Sequence, residues 1–106
     1  MASTLLQASA AILATRTTLI TATADKQTIV ITGTVSNIDT TNKATHFVTI
    51  EVQTGATYRV IVKDAPVPYG GALQLPKIVL QEGDVLHMTA SLVDVLEGYV
   101  SYVEKD

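Results

Sequence analysis

Apolar side chains recur along this chain with a period of two, the spacing at which successive residues of a strand face opposite sides of a sheet. Residues 28–37 place Ile29, Ile31 and Val35 on one face and Thr28, Thr32, Thr34 and Ser36 on the other, with Gly33 marking a bulge or a close backbone contact. In residues 45–53, Val48, Ile50 and Val52 alternate with Thr49 and Glu51. Thr54-Gly55 then makes a tight hairpin into residues 57–63, where Tyr58, Val60 and Val62 share a face, so these two strands are antiparallel neighbours. A threonine-rich strand is expected over residues 16–23 around Leu19 and Ile20, and further short strands over 72–75, 78–80, 85–91 and 98–104. Turn residues interrupt these runs about every ten positions and no helical period occurs, which predicts seven to eight short strands in an all-β, antiparallel two-sheet β-sandwich. A jelly roll and an immunoglobulin-like sandwich both fit that pattern. The absence of tryptophan and cysteine counts against the second and favours a jelly-roll-like fold.

Two segments stand outside the alternation. From Pro66 the chain reads as a connector: Pro66 and Pro68 fix φ and remove two backbone donors, Gly70 and Gly71 permit a sharp reversal, and Pro76 punctuates again before Ile78-Val79-Leu80. Glu82-Gly83-Asp84 is a compact turn in which the Asp84 carboxylate is expected to accept backbone N–H bonds. Residues 1–14 carry no charge before Arg16 and are weakly apolar. They lack the basic start and continuous apolar run of a leader peptide, fall short of a membrane span, and are expected to stay on the protein. They read as an N-terminal arm or an edge strand ahead of a single sandwich domain over residues 15–106. As an arm, Leu5, Leu6, Ile12 and Leu13 would dock onto an adjacent subunit, and removing residues 2–14 would leave the sandwich folded.

Composition narrows the chemistry. With 106 residues the chain makes one domain, and its 47% hydrophobic but only 5% aromatic content calls for a core of valine, isoleucine, leucine and alanine. A net charge of -3 with scattered lysines and arginines argues against a nucleic-acid footprint. Having no cysteine, the chain has no disulfide, thiolate metal site or cysteine nucleophile. His46 and His87 are too far apart for a local metal motif and read as structural or exposed, while Asp84, Asp94 and Glu97 read as turn and surface acids. Neither a nucleophile elbow nor a phosphate-cradling glycine loop is present. The expectation is a protein with no catalytic residue, metal or cofactor, and with neither a membrane nor a nucleic acid as partner.

One succession of motifs adds to this. Val35-Ser-Asn37, then Val48-Thr-Ile-Glu-Val52, then Tyr58 with Val60-Ile-Val-Lys-Asp-Ala-Pro-Val-Pro68, then Gly70-Gly-Ala-Leu73, Lys77-Ile-Val-Leu80, Glu82-Gly-Asp84 and Ser101 resembles small all-β virion structural proteins of tailed bacteriophages, of the decoration and tail-associated kind. The resemblance runs from about residue 17 onward. It implies scaffold positions at Asn37, Pro66, Pro68, Gly70, Gly83, Asp84 and Ser101 and no active site; Tyr69 departs from it, since a smaller residue is usual there. It implies a virion protein whose partners are the major capsid protein or other virion proteins, and which forms a homo-oligomer in the particle. A capsid decoration or cement protein comes first, because the chain reads as a bare domain with no fibre or receptor-binding segment. A tail, neck or baseplate component such as a fibre adaptor is the alternative. A carbohydrate-binding sandwich is the lesser one, since one Phe, four Tyr and no Trp supply few aromatic platforms.

Overall fold

The structure is a computed structural model and describes residues 3–105; Met1 and Ala2 of the expected arm, and Asp106, lie outside the described residues. Among the described residues there are nine strands and no helix: β1 (Ser3–Ile12), β2 (Thr17–Thr21), β3 (Gln27–Asn37), β4 (His46–Thr54), β5 (Thr57–Val67), β6 (Ala72–Gln74), β7 (Ile78–Leu80), β8 (Val85–Ala90) and β9 (Leu96–Lys105). The strand beyond the seven or eight anticipated is β1, whose ten residues pair with β9 in an unbroken antiparallel register from Ser3 opposite Lys105 to Ile12 opposite Leu96.

One sheet has the order β1-β9-β3, with both β6 and β7 on the far side of β3; the other has the order β2-β8-β4-β5. Neighbouring strands are antiparallel throughout. The chain passes repeatedly from one sheet to the other, and its first and last strands lie side by side. That is the wrapping of a jelly roll, an arrangement in which two sheets share one core. The core is aliphatic, as the composition required: Val30, Val35, Val48, Ile50, Leu80, Leu86, Met88, Leu96 and Val100 are all fully buried. Gly33 lies inside it because β9 passes too close for any side chain; a Cβ there would sit 2.9 Å from Val100 Cγ1 and 3.0 Å from the Tyr99 carbonyl oxygen.

Two sequence expectations change. In β3 the alternation slips at Ile31: Val30 faces Tyr102 and Thr32 faces Ser101, so β3 carries an extra residue there. A bulge reverses which side chains point inward. Thr28 and Val30 are therefore buried while Ile29 and Ile31 point outward, the reverse of the expected faces, and beyond the bulge Val35 is inward as expected. The bulge sits at Ile31 rather than Gly33. Likewise the strand before the connector does not end at Lys63. β5 continues through Pro66, which lies opposite Phe47, to Val67. The proline is tolerated because β5 is the outermost strand of its sheet, where a missing N–H removes no ladder bond.

Candidate functional site

The two sheets present unlike outer faces. On the outside of the β2-β8-β4-β5 sheet the polar residues satisfy one another. Arg16 grips Glu51 with two donors, Nε to Oε1 at 3.0 Å and Nη2 to Oε2 at 3.3 Å. Its guanidinium also stacks 3.8 Å from the centre of the Tyr58 ring, which in turn lies 5.9 Å from the His87 ring. His87 is held between Thr18, at 3.2 Å from Nδ1, and Gln53, whose Oε1 is 2.8 Å from Nε2. Burial, then the neighbouring positive charge of Arg16, push the His87 pKa down, against a smaller opposing effect of Glu51, so the ring favours its neutral form. Glu51 is buried beneath the arginine. This is a closed network in which the charged groups already have partners.

The outside of the other sheet has no such network. Strand register places Leu5 opposite Val103, Val103 opposite Ile29 and Ile29 opposite Val79, which makes an apolar row across four strands. Leu5 is 66% exposed and Val79 46%, and the bulge residue Ile31 beside them is 50% exposed. The adjoining rows hold small polar residues and Tyr99: Gln7 with Ser101, and Ser9 with Tyr99, Thr34 and Gln74. In the described strands of this sheet, only Glu97 and Lys105 place a charge on that face by register, and they lie at opposite ends. An extended face that is low in charge and carries exposed aliphatic side chains and a tyrosine has the composition of the centre of a protein interface.

The four apolar residues singled out at the N-terminus do not act together. Ile12 is fully buried in the core, so its side chain is not available to a partner. Alternation along β1 turns Leu6 toward the same inner side, half-buried, and leaves Leu5 on the outer face. Leu13 follows the strand and is exposed, with its carbonyl accepting the Ala90 N–H.

The connector residues hold turns, apart from Pro66. Gly71 N–H donates to the Pro68 carbonyl across a turn in which Gly70 takes φ 80°. Asp84 N–H donates to the Gln81 carbonyl with Gly83 at φ 82°, and the buried Asp84 carboxylate accepts from Gln81 N–H and from Thr54 Oγ1, each at 3.0 Å.

A second buried polar group closes the other end of the sandwich. Asn37 donates through Nδ2 to the carbonyls of Ala44 and Val67, both at 2.8 Å, and its Oδ1 accepts from Asp39 N–H. His46 Nε2 lies 2.8 Å from Asp39 Oδ2, and that hydrogen bond, followed by one from the Asn42 N–H, holds the Asp39 carboxyl below its usual range. The residues between β3 and β4 are thereby pinned to the sheet end. Between the edges of β5 and β7 lies an open groove of about 610 Å³ with Arg59 and Lys77 beside Val52, Ile61 and Ile78. Among the described residues no group of three or more histidines and acids is placed to hold a metal ion.

The sequence anticipated that Asp84 accepts a backbone N–H, but not the Arg16-Glu51-His87 network, the His46–Asp39 contact or the apolar row. Arg16 and Glu51 are 35 positions apart, so no local motif links them. The row exists only through the register of four strands.

No family model and no curated protein matches this chain. Two crystal structures of a pentameric capsid protein isolated from metagenomic phage sequences share its fold, each with a TM-score of 0.51 over 90% of this chain and with 16% sequence identity. The chain spans 60% of the length of one and 59% of the other, so the likeness covers only part of those proteins.

Proposed function

We propose that this chain is a phage virion structural protein that joins the head shell as one subunit of an oligomer, in the role of a capsid decoration or cement protein with the major capsid protein as its partner. The observation that carries this reading is the nearly uncharged outer face of the β1-β9-β3 sheet, with its exposed apolar row, on a jelly roll. A monomeric enzyme has little use for such a face, whereas a shell subunit needs one to lie against its neighbours. The fold likeness to a pentameric capsid protein supports it and favours the head over a tail, neck or baseplate position. His46 is bound to Asp39 and His87 sits between Thr18 and Gln53, which supports a structural reading of both histidines.

The test is incorporation into particles. Leu5→Glu and Val79→Glu place a charge in the exposed row without disturbing the core, so both variants fold. Each is expected to lower occupancy on purified particles by about tenfold or more, because a charge trapped in an apolar contact loses its hydration. Wild-type copy numbers should match the repeating positions of the head. Unchanged occupancy of both variants, or copies found only along the tail axis, would overturn the reading.

A further inference from the structure

We propose that the free edge of β1 pairs with β1 of a second copy of this chain, antiparallel about a two-fold axis normal to the sheet, so that the β1-β9-β3 sheet continues across the seam. A sheet edge presents unpaired N–H and C=O groups and will template another strand unless something prevents it. Among the described residues, four of the five free edges are obstructed. β2 has five residues and a register shift between Thr18 and Ile20. β6 and β7 have three residues each, with Pro76 between them. β5 contains Pro66, two register shifts against β4, and the charged Arg59, Lys63 and Asp64. β1 has none of these features. Its ten residues contain no proline, glycine or charge, and all ten pair with β9 without interruption. Every second residue of such a strand directs its N–H and C=O away from its partner, evenly spaced for another strand.

The occupant follows from charge and register. Copies of a chain with net charge -3 repel one another where their acids meet, and β1 is a long stretch that brings no charge to the contact. With Ala8 on the two-fold axis, Leu5 falls opposite Ala11 of the second copy, Gln7 opposite Ser9, and Leu6 opposite Ala10. Outer-face positions meet outer-face positions and half-buried ones meet half-buried ones, so the faces of both sheets stay in register across the seam. Leu5 then extends the apolar row toward the neighbouring subunit. This inference rests on the fold and on β1, and it is measured in solution without particles, so its failure leaves the virion reading untouched.

The chain contains no cysteine, so single thiols report the seam directly. Gln7→Cys and Ser9→Cys proteins mixed and oxidised are expected to give the mixed covalent dimer several-fold in excess of either self-linked product, because only that pairing puts Cβ atoms within disulfide reach. Light scattering on the unmodified protein should show a dimer or a multiple of it. Gln7→Lys combined with Ser9→Lys on these exposed positions sets like charges across the seam and should weaken association by about tenfold or more, with an unchanged circular dichroism spectrum. A monomer at all concentrations, equal cross-linking in every pairing, or a lysine variant that dimerises like the parent would overturn the proposal.

Discussion

Single side chains here are governed by which face a strand turns inward. Thr28 is fully buried and its hydroxyl has no hydrogen-bond partner among the described residues, a consequence of the bulge at Ile31 that moved an outward-reading threonine inside. Thr28→Val replaces that hydroxyl with a methyl of similar size and should raise stability by about 0.5–2 kcal/mol in chemical denaturation. A loss of stability would show that the hydroxyl has a role the fold conceals. His87 gives the complementary case for pH. Its folded pKa is depressed, so the unfolded chain binds the proton more readily, and the stability this contributes is present above the ordinary histidine value and fades as pH falls through the folded one. Thermal melting followed from pH 7.5 downward should decline below about pH 6.5. The decline in that window should shrink in His87→Gln; equal profiles for both proteins would mean that another group titrates there.

At the level of elements, the turn between β7 and β8 holds a buried carboxylate and the edge strand β1 holds a core side chain, and substitutions test both. Gly83 lies at φ 82° with open space around it, so Gly83→Val strains the backbone without a clash and should cost about 1–3 kcal/mol. Asp84→Ala, which by sequence alone would be the milder change, should cost a similar 1–3 kcal/mol, because the buried carboxylate satisfies Gln81 N–H and Thr54 at once. Urea melts of the two variants compare them directly, and a negligible effect for Asp84→Ala would mean that water replaces those bonds. For β1, the buried Ile12 makes the strand part of the core. Ile12→Ala should cost about 2–5 kcal/mol, whereas Leu5→Ala should change stability by less than about 0.5 kcal/mol. Removal of residues 2–14 should lower the melting point and bare β9, in place of the intact sandwich expected of a detachable arm. A truncated protein that melts like the parent would return β1 to the status of an appendage.

Across the whole molecule the two outer faces divide the work. The Arg16-Glu51-Tyr58-His87 face carries an internally paired polar network beside exposed Val60 and Phe47, whereas in the described strands of the opposite sheet only Glu97 and Lys105, at its ends, bring a charge to the outer face. Association through the apolar face should therefore depend weakly on salt. Raising sodium chloride from about 0.05 to 0.5 M should change the measured dissociation constant by less than about threefold. A steep salt dependence in analytical ultracentrifugation would point instead to a contact through charged residues, with the Arg59 and Lys77 groove the first place to look.

Much of this architecture was legible in the residues themselves, because a strand's period and its turns are local properties. The alternation through Val48, Ile50 and Val52, the Thr54-Gly55 hairpin and the glycine turns at Gly70 and Gly83 each depend on a few neighbouring positions, and together they lead to an antiparallel sandwich. Register is different. One inserted residue at Ile31 inverts half of β3, and nothing in the local composition of that segment marks it. Ladder pairing over long separations decided that Ile12 is core and Leu5 is surface, that Glu51 lies under Arg16, and that Leu5, Val103, Ile29 and Val79 line up across four strands. Residues brought together from opposite ends of the chain leave no mark at any one position, and so the face on which the proposed function rests emerges only when the sheets are assembled.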